Sequence, residues 1–401
     1  MSHYTPSELI LQRYARVLVN FALNSGAGLK PKEVVRLTVA ESAKPLYVAL
    51  RNQVLISGGH VLTNYLPDDV TRQYYQLASD KQLQFFPAKY FRGIVDQTDH
   101  SIFIISETNQ RELAGIDPAK IMAHRVAFQP LRLWQNAKEN RGQFTWTGAL
   151  YGTEGMAREV GLTLQEYWGQ IIKACFLDST DPVASWRQSA AQNAKLRQKL
   201  NRMEIERLHI VGQDVNLWVK LGLDRQWLGG GGRNIPSFEV FISPDWRGTQ
   251  GHISFNQPLY QQGNIVTGIK LEFKDGRVVK SSARKNYAYL KSMLAVTNAD
   301  KIGEFSLTDK RLSRIDKFMG ETLYDENMSG PFGNTHIALG SAFQESYPGL
   351  VMKVSKKRWL QLGFNDSVIH TDIISTTDRT VTAHLADGKQ KVIYASGKFT
   401  I

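Results

Sequence analysis

The chain carries two hydrophobic rhythms that do not suit a single sheet, and the change between them falls near its middle. Up to about residue 185, strand-like runs alternate with helical stretches. Residues 6–25 place Ile10, Tyr14, Val17, Leu18 and Phe21 on one helical stripe. "EVVRLTV" (33–39) predicts a strand, 43–56 a helix, and "GGHVLTNYL" (58–66) a strand after a glycine stop. "SIFIIS" (101–106) predicts a third strand and 117–140 another helix. Such alternation predicts parallel βαβ units. A long polar helix over 181–203 follows, and beyond it the pattern becomes short strands separated by tight turns. "KDGR" (274–277) joins two alternating runs as a hairpin, and "DGKQ" (387–390) reads as a second. At 401 residues the chain exceeds one comfortable core. The expectation is an α/β domain over 1–190 and a mainly antiparallel, α+β domain over 191–401.

Apolar residues make up 42% and charged residues 21%, as in ordinary globular proteins, and no apolar run is long enough to cross a bilayer. The opening residues lack a cationic start, an apolar core and a small-residue cleavage site, so a signal peptide is not expected. The single cysteine, Cys175 in "IIKACFLD", excludes an internal disulfide and a thiolate-rich metal site, and reads as a core residue. A reducing, cytoplasmic location fits. The net charge of +12 favours anions. The basic runs at 281–291 and 353–359 come without a nucleic-acid motif, so nucleic acid is not an expected partner. No glycine-rich fingerprint follows the first strand, and no G-x-S-x-G elbow is present.

Near the end of the chain, "SVIHTDIIS" (367–375) is β-branched and apolar yet carries two polar groups. Alternation puts His370 and Asp372 on one face, with roots about 6–7 Å apart. A buried bare carboxylate is costly, and a metal ion is one partner that offsets the cost. A structural His–Asp hydrogen bond is the other reading. Four further residues lie beside apolar neighbours: Glu239 in "FEVFI", Glu304 in "GEFSL", Glu326 in "LYDEN" and His336 in "HIALG". Each alone suits a surface charge or a helix cap, and for Glu326 a cap is a natural role. His60, His100 and His252 have no acid at ligand spacing and read as structural or surface residues.

The ordered set "NIPSFEVFISPD", "GEFSL", "LYDEN", "HIALGSAF" and "NDSVIHTD" resembles the aminopeptidase T/PepS family of metallopeptidases, the thermophilic aminopeptidases. The segment 251–279 and the opening "EVVRLTVAESAKPLYVAL" are similar to the family as well. The resemblance implies a two-metal exopeptidase acting on the free amino end of peptides. Carried over by motif, the ligands would be Glu239, Glu304, His336, His370 and Asp372, with Glu304 bridging two divalent ions (zinc, cobalt or magnesium). Glu326 would be a further ligand or the base that takes a proton from water, so Glu304 and Glu326 are the catalytic candidates. It also implies a homodimer around an internal cavity, with the first domain forming the cavity and the dimer contact. Asn234, Asn327 and Asn365 lie close in sequence to the motifs, as supporting residues would.

Three positions depart from the family pattern. Phe343 stands where the resemblance places a tyrosine near the metals. A phenol that steadies an oxyanion is worth about 2.7–4 kcal/mol, so its loss implies a slower enzyme or, at the extreme, a peptide-binding relative with weak activity. An extra Gly-Pro-Phe-Gly separates Glu326 from His336, and Phe238 precedes Glu239 where relatives carry glycine.

Overall fold

The computed structural model describes residues 4–261 and 264–401. The chain divides into two compact units, one of Met1–Gln188 with Gly231–Pro236, the other of Ser189–Gly230 with Ser237–Ile401.

The first unit holds strands β1 (Val34–Ala40), β2 (His60–Leu66), β3 (His100–Ile105), β4 (Thr145–Leu150) and β7 (Asn234–Ile235), all parallel, in the order β2-β1-β3-β4-β7. Val35, Leu37, Val39, Ile102 and Ile104 are buried at alternate positions, and the helix Lys44–Ile56 buries Leu46, Leu50 and Val54. The α/β alternation read from the sequence is therefore present. The two-residue strand β7 joins this sheet from far along the chain, a return that no local pattern signalled.

Two helices differ from their expected outlines. The stretch 117–140 forms two helices, Pro118–Ala127 and Gln129–Glu139. Pro130 lacks an N–H and disfavours a helical residue before it, so the first helix stops ahead of it. The opening helix runs over Glu8–Val17, widens over Leu18–Ala22, and ends where Asn24 and Ser25 turn left-handed. Cys175 is buried, as expected of a core residue.

In the second unit an eight-stranded antiparallel sheet contains β5 (Ile205–Gly212), β6 (Val215–Lys220), β9 (Gln250–Ser254), β12 (Lys270–Lys274), β13 (Arg277–Ser282), β17 (Arg379–Leu385), β18 (Gln390–Ala395) and β19 (Lys398–Phe399). The β12–β13 turn places Asp275 and Gly276 at φ 51° and 78°, the backbone that a two-residue hairpin loop of this kind demands. The second hairpin lies between β17 and β18, as read. A short pair, β10 (Leu259–Gln261) and β11 (Asn264–Val266), lies apart from this sheet. A four-stranded antiparallel sheet completes the unit: β16 (His370–Ser375), β15 (Asn334–Gly340), β14 (Ile302–Thr308) and β8 (Glu239–Ile242), in that order. No described helix is long and apolar enough to cross a membrane.

Candidate metal centre

The four-stranded sheet is buried along nearly its whole length, so its side chains should be apolar on both faces. Only one face is. Register places Thr308 opposite both Glu239 and Asn334, Ser306 opposite Phe241 and His336, and Ala338 opposite Glu304 and Asp372, while His370 faces Gly340. Directly opposed residues share a face. Glu239, Glu304, His336, His370 and Asp372 therefore project to the same side from four different strands. The other face carries Val240, Phe305, Leu307, Ile337, Leu339 and Ile373, an ordinary core.

Glu326 arrives differently. It follows the short helix Thr322–Asp325, inside the excursion 309–333 between β14 and β15. It sits at that helix's C-terminal end, so the capping role considered for it is not an N-cap. Asp325 accepts the Met319 and Glu321 amides at 2.7 and 2.9 Å, and Asn334 donates to the Asp325 carbonyl at 2.8 Å. These bonds fold the excursion so that Glu326, His336 and Asp372 offer ligand atoms within 4.8 Å of one another.

All six candidates meet. Two further groups satisfy the same spacing, Glu239–Glu304–His336 and Glu304–His370–Asp372. His336 Nε2 lies 3.2 Å from both Glu239 Oε2 and Glu304 Oε1, and 3.9 Å from Asp372 Oδ1. His370 Nε2 lies 3.3 Å from Asp372 Oδ1 and 3.6 Å from Glu304 Oε2. Ligands bonded at about 2.0–2.2 Å stand roughly 3.0–3.5 Å from each other, so these separations match the edges of a coordination shell.

Orientation is set by neighbours. His370 Nδ1 lies 2.8 Å from the Ser341 carbonyl, which only accepts, so Nδ1 carries a proton and Nε2 is the atom turned to the acids. Ser306, which the sequence reading passed over, donates to Glu239 Oε2 at 2.7 Å. Its signal was present: it lies two residues after Glu304, on the same strand face. Asn327 Nδ2 reaches Glu326 Oε1 at 3.3 Å. Asn365 donates to the Gly340 carbonyl at 2.5 Å, holding the strand opposite His370. Asn234, the third asparagine, belongs to β7 of the first unit. Gly340 has φ +102°, and a Cβ there would stand 2.2 Å from the Ile369 carbonyl oxygen, so glycine is required.

Electrostatics follow from burial. Glu239, Glu304, Glu326 and His336 are at most 6% exposed, whereas His370 and Asp372 are half-buried and form the open side. Burial, with Glu239 nearby, pushes Glu304 up to about 7 despite the His336 hydrogen bond. Burial also holds Glu326 well above the usual carboxylate range, helped by Glu239 and Asp372. Burial would lower both histidines, but the carboxylates win: Glu239 and Glu304 raise His336, and Asp372 with Glu304 takes His370 up to about 9. Burial disfavours ionised Asp372 too, yet His370 holds its carboxyl below the usual range. His336 Nδ1 is buried with no hydrogen-bond partner among the described residues, so its polar contacts run through Nε2.

With all four acids ionised, the cluster is anionic in sum even if both rings are protonated. Two divalent cations would neutralise the four acids while leaving both rings neutral as ligands, and so the donor set fits such ions.

His60, His100 and His252 stay outside this cluster. His60 and His252 are exposed, and His100 is buried against Thr145 and Glu33, with Nε2 3.0 Å from Glu33 Oε2. That acid partner is 67 positions away, which is why sequence spacing did not show it.

Phe343 packs beside the open side of the cluster. Its ring centre is 4.8 Å from that of His370 and 5.6 Å from that of Phe241.

The profile of the family described as thermophilic metalloprotease (M29) matches residues 7–399. The chain belongs to this family. It is 25% identical to aminopeptidase PepS of Streptococcus thermophilus, over 98% of each chain. It is 27% identical to aminopeptidase T of Thermus thermophilus, covering 97% of this chain and 99% of that one. The solved structure titled wild-type AmpT from Thermus thermophilus superposes with a TM-score of 0.84 at 23% identity, covering 98% and 99% of the two chains. That likeness establishes the shared fold.

Proposed function

We propose that this protein is a dinuclear metalloaminopeptidase that removes residues from the free amino end of peptides. The observation that carries the reading is the pair of donor groups sharing Glu304: Glu239–Glu304–His336 and Glu304–His370–Asp372. In this reading the first group would hold one divalent ion and the second the other, with Glu304 common to both. Mixed imidazole and carboxylate donors suit zinc or cobalt, and two imidazoles weigh against magnesium. Such a pair of cations supplies Lewis acidity, which acidifies water and polarises a peptide carbonyl.

The chain's own residues do the rest. Glu326 comes from the excursion rather than the sheet and, with His336 and Asp372, forms a third donor group, so one carboxylate oxygen would support an ion while the other would accept the proton of the attacking water and pass it to the leaving amine. His370 and Asp372 line the open side and would meet the substrate first. Ser306 and the Ser341 carbonyl keep Glu239 and His370 aimed at the centre. The names of the relatives, all aminopeptidases, support the substrate class. In the same reading the unit over 191–401 is catalytic, the first unit serves dimerisation and cavity formation, and the protein works as a cytoplasmic homodimer.

Phe343 favours a second reading, a family member with weak activity that binds peptides. Its ring places hydrocarbon against His370, where the family resemblance implies a hydroxyl.

The test measures bound metal and aminoacyl-nitroanilide hydrolysis for purified, chelated and zinc- or cobalt-reloaded protein, beside His370→Ala. The first reading expects about two ions per chain, loss of turnover on chelation, recovery on reloading, and failure of the variant. Two bound ions without turnover support the second reading. Absence of metal binding overturns both.

A further inference from the structure

We infer that Asn327 is a positioning residue: one buried amide fixes Glu326 and the entry to the Glu239 strand at the same time. The inference rests on the dinuclear reading above.

Glu326 is the only member of the cluster not carried by the sheet, and a group on an excursion needs something to hold it there. Its backbone carbonyl accepts a 3.4 Å hydrogen bond from the Thr308 hydroxyl, which locates the chain. Asn327, fully buried, supplies direction. Its Oδ1 accepts the Phe238 amide at 2.6 Å, immediately before Glu239. Its Nδ2 donates to the Leu323 carbonyl at 3.1 Å and to Glu326 Oε1 at 3.3 Å. Its own backbone carbonyl accepts from Ser313.

The chemistry singles out a carboxamide. The position requires an acceptor on one side for a backbone N–H and a donor on the other for a carboxylate. An aspartate lacks the N–H donors, and an apolar side chain of the same volume lacks both functions. The same amide thus touches the backbone beside Glu239 and the carboxylate of Glu326.

Ligand-orienting partners of this kind are typically worth about 10–100-fold in metal affinity. The experiment titrates zinc against a chromophoric chelator for wild type, Asn327→Ala, Glu326→Ala and the double variant, and records urea unfolding for each. Asn327→Ala is expected to weaken the lower-affinity ion by about 10–100-fold. In the Glu326→Ala background the same change is expected to cost clearly less, because the carboxylate it orients is gone and only its hold on the backbone before Glu239 remains. Ser329→Ala, which loosens the excursion elsewhere by removing a 2.8 Å hydrogen bond to the Ile315 carbonyl, is expected to lower the urea midpoint with unchanged zinc affinity. Asn327→Leu replaces the alanine variant if the latter does not fold. Equal losses in both backgrounds, or no loss, overturn the positioning role. A wild type that binds no zinc would instead overturn the dinuclear reading.

Discussion

Stripping the metal with a chelator is expected to make stability fall as pH rises, whereas the zinc-loaded protein should not show the fall. Burial places Glu304 at about 7 against an ordinary 4.5, and Asp372 with Glu304 places His370 at about 9 against 6.5. A raised folded pKa means that the folded state binds more protons, so stability declines with pH between the unfolded and folded values. Glu304 acts from 4.5 to about 7 and His370 from 6.5 to about 9. Asp372 is depressed, so it titrates below its ordinary 3.8 and does not enter this window. At about 1.4 kcal/mol per pH unit and proton, going from about pH 5.5 to 8.5 costs the stripped protein on the order of 5 kcal/mol. Zinc competes with protons for the same lone pairs, so the loaded protein holds both groups unprotonated throughout. One kcal/mol moves the midpoint of a unit this size by about 2–4 °C, so the gap between loaded and stripped protein should widen by on the order of 10 °C. Differential scanning fluorimetry on both forms at the two pH values measures it. A gap that stays constant or narrows would refute the electrostatic account of the cluster.

Two substitutions probe the scaffold around the cluster. Ser306→Ala removes a 2.7 Å hydrogen bond to a buried carboxylate and should weaken zinc binding by roughly tenfold, read by chelator competition, with much of the turnover recovered at saturating metal. Gly340→Ala places a methyl 2.2 Å from the Ile369 carbonyl at φ +102°, so it should cost more than the roughly 1–3 kcal/mol of backbone strain alone. A lower urea midpoint and lost activity are expected, and an unchanged midpoint would refute the requirement for glycine at this position.

Much of the architecture was legible locally, because period and turn chemistry are properties of a few consecutive residues. The alternation before residue 185 foretold the parallel sheet, and Asp275-Gly276 foretold its hairpin. His370 and Asp372 share a face for the same reason, since a strand repeats every two residues. The family resemblance then named four more positions that local pattern alone left as caps or surface charges.

What the chain's order by itself determined was which residues share a strand face. Which strands lie side by side, and in what register, was decided only in three dimensions. Glu239 meets His336 through a register spanning two intervening strand pairings, and Glu326 reaches them on an excursion pinned by Asp325, Asn327 and Asn334. His100 finds Glu33, and β7 joins the first sheet, by the same kind of distant pairing. The physical reason is that alternation is set by backbone geometry within a few residues, whereas convergence depends on hydrogen bonds between segments that sequence distance does not relate.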